Sequence, residues 1–173
     1  MRKLAFLLFG ILASCGGSEQ NQPNAAATYF DVKAYFSKEA KSLTEKNPVI
    51  NKTVIVNGVQ EHKSLKISDW NKELASFIDA DINKRAWAGE FKEMKTGNGI
   101  VYTSNNEKVP VKKLEILRNR DRITGMTIII RNSNYLYTSS DTLRYYPDSL
   151  YQIRKAQHIT LMSPKSYLIT GTF

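Results

Sequence analysis

Apolar positions recur at helical spacing in two stretches of the chain and alternate at strand spacing through most of the rest. Between about 29 and 46, Val32, Phe36, Ala40 and Leu43 fall on one helix face, with Lys33, Lys38, Lys41 and Glu45 off it. Asn47-Pro48 ends this helix, because the residue before a proline is pushed out of the helical region. Two β-rich runs follow, "VINKTVIV" and "VQEHKSLKI", joined by Asn57-Gly58. That pair predicts a hairpin, since a type I′ turn needs positive φ at both central residues. Ser68 then caps an expected second helix over about 69–82, where Trp70, Leu74, Phe77, Ile78 and Ile82 form a wide apolar stripe.

The remainder reads as strands over about 86–94, 99–104, 109–118, 122–131, 134–138, 141–146, 150–162 and 166–173. Polar clusters at 96–99, 118–121 and 131–134 supply turns. Short gaps between successive strands favour an antiparallel meander. The expected fold class is α+β: two amphipathic helices packed on a curved, mainly antiparallel sheet of about eight or more short strands. It forms one domain over 28–173, with no convincing internal repeat.

The N-terminus has a different pattern. Arg2 and Lys3 precede a nine-residue apolar core, Leu4 to Leu12, and then the small residues Ala13, Ser14, Cys15, Gly16 and Gly17. This is the layout of a secretory signal. Nine residues fall short of the roughly 20 that span a bilayer as a helix. Leu12-Ala13-Ser14-Cys15 closely resembles the lipobox of bacterial lipoproteins. The resemblance implies cleavage before Cys15, so that 1–14 is a signal peptide, and acylation of the Cys15 thiol. Several acyl chains on one residue hold a domain stably where a single chain would not. Gly16 stands where an aspartate marks inner-membrane retention in that family, and Glu19 is the lone acid close behind, so the implied address is the outer membrane. Residues 15–27 then read as the lipidated cysteine and a polar tether, with an average reach of about 20 Å for a flexible chain of this length.

Composition narrows the partners. The chain of 173 residues carries 25 Lys and Arg against 16 Asp and Glu. Loss of Arg2 and Lys3 with the signal leaves a mature charge near +7. No second cysteine exists, which excludes a disulfide within the chain and a multi-cysteine metal site. The basic residues are dispersed and the address is the envelope, so nucleic acid is not an expected partner. The membrane, reached through acylated Cys15, is expected, together with an envelope protein, a glycan or an anionic lipid.

Candidate chemistry is sparse. In "DADINKRAWAGE", Asp79, Asp81, Asn83 and Glu90 match the spacing of a calcium loop, but Lys84 occupies the position where that loop needs glycine. The better reading is a helix end leading into a strand, with no metal or other cofactor. "SYLITGTF" has the alternation of a closing outer-membrane strand. The charges on both faces of "VKKLEILRNRDRIT" argue instead for the last strand of a water-soluble sheet. His62 and His158 lack the convergent ligands that zinc requires. "TSSDT" at 138–142 reads as a turn. Tyr135, Tyr137, Arg144, Tyr151 and Arg154 are a possible binding surface: Tyr135/Tyr137 and Tyr151/Ile153 have period-two spacing that could line one sheet face, the arginines are interleaved with them, and Tyr and Arg favour interfaces.

"FDVKAYFSKEAKSL", "DWNKELASFIDADINK" and "YYPDSLYQI" resemble lipoproteins of the Bacteroidota to which no reaction is assigned. That resemblance adds no functional residue beyond Cys15. The expected function is a lipid-anchored, non-enzymatic binding or structural accessory module of the envelope. The alternatives are a hydrolase-like envelope enzyme with a site assembled from distant residues, or a carrier of lipid or another apolar ligand.

Overall fold

The computed structural model describes residues 29–173. The signal-like segment, Cys15 and the expected tether lie outside the described residues. Helix α1 (Val32–Lys46) leads into β1 (Val49–Val56) and β2 (Val59–Lys66). Two single helical turns follow, α2 (Trp70–Glu73) and α3 (Ala75–Ile78), then a 3-10 turn at Arg85–Trp87. The rest is β3 (Lys92–Thr96), β4 (Gly99–Thr103), β5 (Val111–Asn119), β6 (Arg122–Ser133), β7 (Tyr137–Tyr146), β8 (Leu150–Ile159) and β9 (Lys165–Thr172).

All nine strands belong to one antiparallel sheet in the order β2-β1-β9-β8-β7-β6-β5-β4-β3. β3 to β9 make a continuous meander, and the first hairpin joins it by laying β1 against β9. Strand occupies 52% of the described residues and helix 18%. This overturns the α+β expectation: the molecule is predominantly one antiparallel sheet, with one long helix and two single helical turns as its minor part.

Three local reasons account for the change. The stretch expected as one helix over 69–82 breaks at Leu74 (φ −93°, ψ 8°) and stops at Ile78. Its cap is Asp69, not Ser68: the Asp69 carboxylate accepts from the Lys72 backbone N–H at 3.0 Å. Past Asp79 the side chains of Asp81 and Asn83 bond the backbone, offering the chain an alternative to helix. Ile82 reaches the core from this irregular segment, so its place in the stripe was coincidence. The runs 134–138 and 141–146 fuse into β7, and "TSSDT" is strand interior rather than turn, with Ser139 and Asp141 inward and Ser140 outward. The turn expected at 131–134 shifts forward, because β6 extends to Ser133 and the Asn134 side chain accepts from the N–H groups of Leu136 and Tyr137.

The more local expectations hold. Val32, Phe36, Ala40 and Leu43 are the buried face of α1. Asn47 ends it in the left-handed region, with its N–H donating to the Leu43 carbonyl. Asn57 and Gly58 take φ of 50° and 88°, as the type I′ turn requires.

Register decides which side chains share the covered face of the sheet. Tyr145 stands opposite Tyr151, Leu143 opposite Ile153, and Ile153 opposite Ile169. α1 lays Phe36 on this face, its ring 5.1 Å from Tyr145 and 4.7 Å from Phe77 of α3. Trp70 of α2 stacks on Phe173 at 5.8 Å and meets Tyr151 edge-on. Past α2 the same face continues over β8, β9 and β1 as half-buried Lys155, Tyr167, Ile169 and Val54.

Candidate functional site

The uncovered part of that face is the floor of an open cleft of about 670 Å³. Its apolar floor is Leu65, Ile67, Ile153, Tyr167 and Ile169. Asp69, Lys72, Glu73 and Ser76 of the α2–α3 segment form one wall, and Lys52, Lys66, Ser68, Lys155 and Gln157 complete the lining. Four lysines against two acids leave the lining cationic.

Buried polar chemistry fixes the wall in place. Lys52 Nζ lies 2.6 and 2.8 Å from the two carboxylate oxygens of Glu73. The Tyr151 hydroxyl donates to Glu73 Oε1 at 2.6 Å. Tyr151 is fully buried, and burial first, then the hydrogen bond to Glu73, pushes its phenol well above the usual tyrosine range. Its ring lies across β9 at Gly171, where a β-carbon would fall 2.2 Å from the ring. Glycine at 171 therefore permits the link from β8 to α2. The remaining cations are freer. Lys66 and Lys72 have no ion-pair partner among the described residues.

Lys155 and Ser76 also line a smaller recess of about 280 Å³ with Asp141, Asn132 and Trp87. Asp141 is buried, and its Oδ1 has no hydrogen-bond partner. Burial raises the Asp141 carboxyl above its ordinary pKa, against the pull of Lys155 at 3.8 Å. A raised folded-state pKa favours the fold at low pH, and this contribution is lost as pH rises through it. Asp141→Asn is accordingly expected to raise Tm at pH 7 by about 2–4 °C, the shift that ~1 kcal/mol gives a domain of this size. The gain should shrink below pH ~4, where the native carboxyl is protonated in both states. Thermal melts at the two pH values check this, and a pH-independent difference would contradict it.

The residues singled out in the sequence are dispersed. Tyr151 lies under α2, while Arg144 and Arg154 alternate onto the opposite face of the sheet, where Arg144 Nη1 donates to Gln152 Oε1 at 2.9 Å. Tyr135 is 97% exposed in the β6–β7 turn, and Tyr137 is half-buried at the start of β7. The five residues thus do not share a face. In the calcium-like segment, Asp81 Oδ1 accepts from the Asn83 N–H, and the Asn83 amide is spent on the backbone of Tyr29 and Phe30. Glu90 accepts from Asn106, and Lys84 Nζ donates to the Asp79 carbonyl. Among the described residues no three His, Cys, Asp or Glu side chains come together as a metal site. His62 faces Thr53 on the outer side of the first hairpin.

Sequence reasoning missed the cleft. Its residues come from β1, the end of β2 and the loop after it, α2, α3, β8 and β9, and no spacing along the chain announces that convergence. The adjacent apolar pair Leu65 and Ile67 before the Asp69 cap was the sole local signal. No helix among the described residues is long and apolar enough to cross a membrane. Comparison of the chain with family models, with curated proteins and with solved structures found no match.

Proposed function

We propose that this protein is a lipid-anchored, non-enzymatic binding module of the bacterial envelope, tethered at the outer membrane through acylated Cys15, with the α2 cleft as its ligand seat. The cleft's combination of apolar floor and unpaired lysines carries the reading. An apolar surface of this kind is suited to an acyl or similar chain. Lys66 and Lys72 are placed to meet an anionic head, so the ligand is an anionic amphiphile. The anchor rests on the arrangement of residues 2–17.

Both halves are testable. Metabolic labelling with a clickable fatty acid should mark the native chain and not Cys15→Ala; equal labelling of the two sinks the anchor. For the cleft, binding of dodecyl phosphate, dodecanol and inorganic phosphate is measured by calorimetry. Dodecyl phosphate should bind about tenfold tighter than dodecanol, as two exposed ion pairs allow, and Lys66→Gln with Lys72→Gln should remove most of that margin. Leu65→Trp, which fills the cleft from the outermost β2, should weaken both alkyl ligands. Binding of inorganic phosphate as tight as that of dodecyl phosphate would show that the floor is not used.

A further inference from the structure

Exposed apolar side chains gather at one end of the sheet. Three turns meet there: β1–β2, β6–β7 and β8–β9. The Thr160 N–H donates to the Leu136 carbonyl, joining the last two, and Asn57 and Ser166 exchange hydrogen bonds that join the β1–β2 turn to the start of β9. Tyr135 and Leu136 on one turn, Leu161 and Met162 on the next, and Val59 on the third all project into solvent. Leu161 is wholly exposed, and its φ of 66° puts a non-glycine residue in the left-handed region. A strained, bare leucine at a turn tip has no folding rationale and points to an outside contact.

The charge pattern says what that contact is. Residues 55–60, 132–138 and 159–164 contain no Asp or Glu; Arg131 and Lys165 flank the second and third, while beside the first Glu61 is paired with Lys63. Aliphatic tips with an exposed tyrosine, free of acids and with Arg131 and Lys165 beside two of them, match the interface of an anionic bilayer. We propose that this three-turn tip inserts into the headgroup region of the membrane as a second contact, beyond the acyl anchor. Residues 16–28 separate Cys15 from the first described residue, and a chain of that length spans up to about 45 Å, enough to let the domain turn its tip to the bilayer. With the tip seated, Tyr167 and Gln157 at the cleft lie within a strand's end of the lipid.

The test uses the full acylated chain on vesicles of phosphatidylethanolamine and phosphatidylglycerol carrying nitroxide-labelled acyl chains. Cys15 is the one native cysteine, so Leu161→Cys and Leu136→Cys each add a single free thiol for a fluorophore. Asp121→Cys, in the turn at the other end of β6, is the reference. The tip labels should be quenched at least about twofold more than the reference label, as insertion to the acyl boundary requires. Equal quenching at both ends, or none at the tip, overturns the proposal. Flotation with the vesicles and the refusal of the unsubstituted chain to take label report the Cys15 anchor separately, so failure of the anchor is not mistaken for failure of the tip.

Discussion

Replacing Glu73 with alanine is expected to cost about 3–5 kcal/mol, the range for removing one partner of a buried ion pair. Glu73 has 14% of its side chain exposed and Lys52 21%, so neither charge recovers full hydration when the other is gone. The loss also strands the Tyr151 hydroxyl in the core, where an unsatisfied donor costs about 1–3 kcal/mol. The two penalties overlap, because both measure the same missing carboxylate. For a domain of this size the total corresponds to a fall in Tm of roughly 10 °C. Glu73→Gln keeps an acceptor for Tyr151 and removes the charge, so it should recover part of the loss. Thermal melts of the three proteins check this. A Glu73→Ala protein that melts with the native chain would mean that α2 is held by its apolar contacts alone.

Alkaline pH is expected to unfold the domain abruptly. Tyr145 and Tyr151 are both buried, and their phenols are held well above the tyrosine range by burial first and then by donation to Glu39 and Glu73. Tyr35 is displaced in the same direction by burial, Glu39 and Asp148. The folded pKa lies above the unfolded value of about 10, so the stabilisation is complete below that pH and is lost as pH climbs past it. Each fully buried phenol then withdraws about 1.4 kcal/mol per pH unit. Two of them consume a typical stability of ~5–15 kcal/mol within a few units. Phenolate absorbance should therefore show a late step from the buried set, coincident with loss of circular dichroism. One smooth titration of every tyrosine in a folded protein would contradict the buried hydrogen bonds.

The sequence was most informative where structure is local. The α1 stripe depends on four positions within one helix, and the Asn57-Gly58 turn on two residues whose φ preferences stand alone. The second helix misled because a stripe at spacings of three and four also arises when single turns and an extended segment each present one apolar residue inward. The tyrosines show a different limit. Period-two spacing states that Tyr151 and Ile153 share a face and that Arg154 lies opposite them, but not which face the rest of the chain covers. That was decided by α2, some eighty positions earlier in the chain, through Glu73. The cleft was illegible for the same reason, since it exists because β1 docks on β9, a pairing between the two ends of the domain.

The claim that the α2 cleft is the ligand seat is tested most directly by photocross-linking. A long-chain alkyl phosphate carrying a diazirine near the chain end is irradiated with the purified full chain, and the modified peptides are identified by mass spectrometry. The account predicts label on Leu65, Ile67, Tyr167 or Ile169, competed by unlabelled dodecyl phosphate and lost in Leu65→Trp. Label confined to Tyr135, Leu136, Leu161 and Met162, unaffected by Leu65→Trp, would contradict it and leave the tip as the apolar contact.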